Sequence, residues 1–135
     1  MINTDKLRIL IIVLLLTFNL SQSQEINWVT LDEVAETYEE NPKPIFVLWT
    51  ADWCKPCLKF KPILKSKADI LNTNFYPVKF KVNSNWDNVI DDVNQIPLVR
   101  FYYFKDDEFK YLEEFTDSYN EQNTTDILSR ISVGG

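Results

Sequence analysis

The sequence contains no histidine. A Ser-His-Asp triad, a Cys-His dyad, a histidine-liganded metal and an HExxH zinc site are therefore excluded. Glycine occurs only at Gly134 and Gly135. A P-loop, a GxGxxG dinucleotide turn and an EF-hand loop each need internal glycines, so none of them is present. Cysteine occurs only at Cys54 and Cys57, which excludes a multi-disulfide scaffold and a four-cysteine cluster. Chemistry is left to carboxylates, lysines, hydroxyls and one pair of thiols. What remains is ordinary globular composition, 45% hydrophobic and 25% charged, and 135 residues give room for one domain around one core.

Residues 1–23 have the pattern of a secretory signal. Lys6 and Arg8 give a basic start, Ile9 to Leu16 is an unbroken apolar run, and Ser21-Gln22-Ser23 offers small residues for cleavage before Gln24. The apolar run is too short for a spanning helix, which needs about 20 residues. No cysteine follows it, so lipoprotein-type attachment is excluded. The expected organisation is a signal at 1–23 and one domain at 24–135. Cleavage would remove two bases and one acid from a chain of formal charge −6, leaving −7. Such an acidic chain is a poor nucleic-acid binder. Export also leads to an oxidising compartment, where a cysteine pair can be a disulfide.

Within 24–135, Thr30-Leu31-Asp32-Glu33 has the form of a capping box and predicts a helix over about 31–40, ended by Asn41-Pro42-Lys43-Pro44. Ile45 to Trp49 is a short continuous apolar run, suited to a strand buried on both faces. A helix is expected from near Cys54 to about Leu71, with Pro62 kinking it. Phe75 to Val82 alternates, with Val78, Phe80 and Val82 on one side and Lys79 and Lys81 on the other. Trp86 to Val93 is expected to form a short helix. Leu98 to Phe104 and Phe109 to Phe115 are expected strands joined by a turn at Lys105-Asp106-Asp107-Glu108. Asn123 or Thr124 would cap a last helix. This order predicts an α/β fold with a central mixed sheet flanked by helices, one of them N-terminal.

Trp53-Cys54-Lys55-Pro56-Cys57 follows a predicted buried strand and opens a predicted helix. Unpaired backbone N–H groups and partial positive charge at a helix N-terminus favour thiolate over thiol. Cys54 is thus the expected exposed nucleophile. Cys57, one turn along and more buried, can attack a mixed disulfide on Cys54 and release the partner. Pro56 suits the first turn, where a missing N–H costs little. A half zinc site would need carboxylates for its remaining ligands, and the flanking Asp52 and Lys55 argue against buried core cysteines. A static CxxC disulfide is the remaining alternative.

The motif, Pro62 five residues after the second cysteine, and Ile96-Pro97 before an apolar strand together resemble the thioredoxin family over nearly all of residues 24–135. Thr50-Ala51-Asp52-Trp53-Cys54 is similar to exported Dsb-type reductase domains. The resemblance implies a thioredoxin fold with an extra N-terminal helix. It makes Cys54 the attacking and Cys57 the resolving cysteine, with Trp53 shielding the pair and contacting the partner. It also implies a cis bond at Pro97 that presents the Ile96 backbone to a substrate strand, and no metal or organic cofactor, the redox group being the Cys54–Cys57 disulfide.

Departures from the family pattern are as informative. Leu48 stands where cytosolic thioredoxins carry a buried aspartate, and Leu98 follows Pro97 where threonine is common. Lys81 matches the family's neighbouring lysine and, with Lys55 and Pro56, is a candidate for tuning the thiol. Five lysines between residues 55 and 67 have no acid among them; such a local positive field would steer acidic partners, but for all of them except Lys55, which lies between the cysteines, a solvated helix face is the preferred reading. The function expected is exported thiol–disulfide exchange in the reducing direction. The substrates would be protein disulfides, the electron donor a membrane reductase of Dsb type, the location the periplasm and the state a monomer without a membrane span. The alternatives are a disulfide oxidase or isomerase using the same pair, and a thioredoxin-fold binding module with idle cysteines. A secreted or ER-lumen setting would bring the sequon Asn123-Thr124-Thr125 into play.

Overall fold

The computed structural model describes residues 3–20, 24–90 and 92–134. Helix α1 (Thr4–Leu20) holds the N-terminal apolar run, and its side chains are exposed as far as Leu15. Among the described residues no helix is long and apolar enough to cross a membrane. Ser21-Gln22-Ser23, the expected cleavage region, lies outside the described residues.

Helix α2 (Leu31–Thr37) begins at the expected capping box. The Glu33 N–H donates to Thr30 Oγ1 at 3.2 Å, and the Thr30 N–H donates to a Glu33 carboxylate oxygen at 2.9 Å. Two of the helix's orphan donors are satisfied reciprocally. Strand β1 (Ile45–Thr50) is buried along almost its whole length, as its unbroken apolar run requires. Helices α3 (Lys55–Ser66) and α4 (Ala68–Asn74) follow, then β2 (Tyr76–Lys81), β3 (Leu98–Lys105), β4 (Glu108–Glu114) and α5 (Glu121–Gly134).

The sheet order is β2-β1-β3-β4. β1 pairs parallel with β2, Ile45 opposite Tyr76, and antiparallel with β3, which pairs antiparallel with β4. Alternation along β1 divides the core in two. Phe46 and Leu48 join Phe60, Leu64, Leu71, Phe101 and Leu128 on the face covered by α3, α4 and α5. Ile45, Val47 and Trp49 join Val34, Val82, Val93 and Leu98 on the face covered by α2 and the 82–97 segment. The expected mixed sheet between helices is therefore present.

The β3–β4 turn places Asp106 at φ 54° and Asp107 at φ 60°. Two consecutive left-handed residues suit a two-residue hairpin, and aspartate tolerates that region better than most residues.

Three expectations need correction. The helix expected through Leu71 breaks at Lys67, whose φ of −104° and ψ of 14° separate α3 from α4, while Pro62 sits inside α3. The expected helix at Trp86 to Val93 is absent, and the described residues there form turns. The cause is side-chain competition for the backbone. Asn88 Oδ1 accepts from the Asn83 N–H at 2.9 Å, the Asn88 amide donates to the Lys81 carbonyl at 2.8 Å, and the Asn83 and Asn85 amides both donate to Asp87. Trp86 is left-handed at φ 62°, which no α-helix accommodates. Finally, α5 is capped by Asn120, whose Oδ1 accepts from the Asn123 N–H at 2.8 Å. Thr124 is instead buried one turn along, its hydroxyl donating to the Asn120 carbonyl at 2.6 Å.

Candidate active site

The junction of β1 with α3 places the two cysteines. β1 ends at Thr50, and the Cys54 N–H donates to the Ala51 carbonyl at 3.3 Å, which closes a tight turn. Cys54 is the N-cap of α3, with Pro56 in the first turn. Cys57, in that turn, joins Cys54 in a disulfide with Cα atoms 5.2 Å apart. The Cys57 N–H points at Cys54 Sγ across 3.2 Å. That sulfur therefore lies against the positive end of a helix, where an anion is stabilised before any side chain contributes.

The segment before β3 lies against Cys54. Ile96–Pro97 is a cis peptide, and the Ile96 carbonyl oxygen lies 3.8 Å from Cys54 Sγ. The structure thus brings Cys54, Cys57, Ile96 and Pro97 together. One expectation changes: Cys54 is no more open than Cys57, each being 5% exposed. The turn ahead of Cys54 and the cis-proline segment close over the disulfide together. What separates the two sulfurs is their surroundings, since Cys54 meets Ile96 whereas Cys57 lines a pocket on the α3 side.

Trp53 is about half exposed, and its indole N–H donates to the Val82 carbonyl at 3.2 Å. The ring meets Trp86 edge-on, centroids 6.3 Å apart. Trp86 was not singled out as a site residue from the sequence. Its closeness to Trp53 follows from the left-handed turn at 86, which no periodicity signals.

The pocket beside Cys57, about 320 Å³, is lined by Trp28, Leu48, Phe60, Lys61 and Lys79 among others. Leu48 is buried in the core. No carboxylate therefore occupies that position to exchange a proton with Cys57. The β1–β2 register sets Lys79, not Lys81, opposite Leu48. Lys81 pairs with Asp52 at 3.3 Å on the open surface, which leaves its charge largely answered. Lys79 lies over the Trp28 ring at 4.9 Å. Burial and then the neighbouring Lys81 and Lys61 hold its ammonium below the ordinary lysine range. The parallel register that distinguishes the two lysines is invisible in the sequence, which shows only that they share a side of β2.

Lys55 is exposed between the cysteines. Replacing it with glutamate adds a negative charge at a helix N-terminus beside Cys54 and is expected to move the pH profile of Cys54 alkylation upward. Iodoacetamide rates measured against pH check this, and an unmoved profile would remove Lys55 from the tuning residues. Among the described residues, no group of three or more His, Cys, Asp or Glu side chains could hold a metal ion.

Sequence comparison adds the decisive observation: residues 27–103 match the thioredoxin-like family. The chain belongs to that family. As a thioredoxin-like oxidoreductase it carries a CxxC pair close enough to close into a disulfide. No curated protein matches its sequence. Solved structures match its fold. A thioredoxin from Thermus thermophilus is 13% identical with a TM-score of 0.67, over 83% of this chain and 91% of that one. A DsbH oxidoreductase is 17% identical with a TM-score of 0.63, over 82% and 88%. A disulphide isomerase from Xylella fastidiosa Temecula1 is 16% identical with a TM-score of 0.58, over 82% and 99%. At these identities the likeness is one of fold.

Proposed function

We propose that this protein is an exported thiol–disulfide oxidoreductase that reduces disulfides in other proteins. The observation that carries the proposal is the Cys54–Cys57 pair at the N-terminus of α3, facing the cis Ile96–Pro97 bond. The named activities of the DsbH and Xylella fastidiosa neighbours support a redox role over an idle binding module.

In the proposed cycle the reduced pair carries two electrons. The Cys54 thiolate attacks one sulfur of a substrate disulfide, and the other substrate sulfur leaves as a thiolate. Cys57 then loses its proton to water and attacks Cys54 Sγ. The Cys54–Cys57 bond forms, the mixed disulfide breaks and the second substrate thiolate departs. A substrate strand alongside Ile96 would hold its disulfide against Cys54 by backbone pairing, with Trp53 covering the exchange. A membrane thiol–disulfide reductase would return the two electrons.

Direction rests on residue choice. Proline before the second cysteine resembles the reducing members of the family, and no histidine lies between the cysteines to make the pair strongly oxidising. Export to the periplasm rests on the basic start, apolar run and small residues of 1–23. Acid quenching and thiol trapping in the source cell test direction: a mostly reduced Cys54–Cys57 pair is expected. A mostly oxidised pair would overturn the reducing direction in favour of an oxidase.

A further inference from the structure

The pocket beside Cys57 has a cationic rim in a chain that is otherwise acidic. Lys61 and Lys65 come from α3, and Lys79 and Lys81 from β2, around an apolar floor that includes Trp28 and Leu48. Lys65 is paired with Glu25 at 3.2 Å and Lys81 with Asp52 at 3.3 Å. Lys61 and Lys79 have no ion-pair partner among the described residues.

α3 has no acid in its first turn, where the helix dipole favours one, while its Lys65 lies in the last turn, where the dipole favours a cation. It places Lys55 with Lys59 and Lys61 with Lys65 four residues apart, like-charge spacings that weaken a helix. A local conflict of this kind, kept beside a reactive pair, points to a use outside the chain's own stability.

We propose that this rim docks an acidic segment of the partner protein, a short stretch of Asp or Glu side chains near its disulfide, with Lys61 and Lys79 as the contacts. A short segment matches the small number of unanswered lysines. An extended polyanion would also meet the surrounding surface of a chain whose formal charge is −6. The inference deepens the thiol–disulfide reading and names a substrate class for it, while docking itself needs no turnover.

The test uses two disulfide-bonded peptides, identical except that three glutamates flank the disulfide in one and three lysines in the other. Binding to the oxidised full chain is followed by tryptophan emission, since Trp28 lies directly beneath Lys79. The acidic peptide is expected to bind about tenfold more tightly at low ionic strength, the preference falling to about twofold or less near 0.5 M salt. The double variant Lys61→Gln/Lys79→Gln is expected to lose the preference, while Lys105→Gln, at the β3–β4 turn, keeps it. Equal binding of the two peptides by the native chain, or a preference that survives in the double variant, would overturn the docking site. Selective binding of the acidic peptide by the oxidised chain, with no reduction of it by chain reduced beforehand to the dithiol, would leave docking standing and remove the reductase reading. Reduction of both peptides by that pre-reduced chain, with equal affinity for the two, would do the reverse.

Discussion

Replacing Cys54 with serine is expected to lower the rate of insulin disulfide reduction on the order of 10³-fold or more, the scale of losing a nucleophile. A serine hydroxyl stays protonated at neutral pH, and the α3 N-terminus that favours a thiolate cannot ionise it. Cys57 cannot substitute. It lies inside the first turn of α3 and lines the pocket on the α3 side, whereas Cys54 Sγ meets the Ile96 carbonyl, beside which a substrate strand would sit. The check is a turbidity assay of insulin reduction, with purified variant and native chain reduced by the same donor. Activity in the variant within about tenfold of the native chain would contradict the role of Cys54. Absence of activity in both would favour the binding-module alternative.

The second large effect concerns stability. Phe101 is fully buried in β3. Its ring meets Phe46 edge-on at 5.7 Å and Phe75 at 5.8 Å, joining β1, β3 and the end of α4 in one aromatic cluster. Phe101→Ala removes a ring from the centre of the sheet and leaves a cavity that the flanking strands cannot close. The expected cost is about 3–5 kcal/mol, against a total of about 5–15 kcal/mol for a domain of this size. The variant should be only marginally folded at room temperature, with a much lower urea midpoint by far-UV circular dichroism. A loss below about 1 kcal/mol would mean that this cluster does not hold the sheet together.

Elements whose signals are local were legible in the sequence. The Thr30–Glu33 capping box, the unbroken run Ile45–Trp49 and the aspartate-rich turn at 106–107 each carry their structural cause within a few residues. The cysteine motif and Pro97 were legible for the same reason, being short and position-specific. The segment from Asn83 to Val93 misled because its apolar residues allow a helix while its asparagines and Asp87 satisfy turn backbone instead. Nothing in a hydrophobic pattern weighs those side-chain bonds. The start of α5 slipped by three residues because Asn120, Asn123 and Thr124 are all plausible caps, and packing chose the first by burying Thr124. The resemblance singled out Lys81, but the parallel register, which has no linear signature, sets Lys79 opposite Leu48. The pocket beside Cys57 is likewise assembled from segments distant in sequence, from Trp28 to Lys79, and has no linear signature.

The central claim is that Cys54 attacks and Cys57 resolves. Cys57→Ser tests it most directly, because it keeps the nucleophile and removes the resolving step. Incubated in its reduced form with a peptide disulfide, this variant should accumulate one stable mixed disulfide. Intact mass should rise by one peptide chain, and peptide mapping should place the adduct on Cys54. A Cys57→Ser chain that forms no adduct under conditions where the native chain reduces the same peptide would contradict the account.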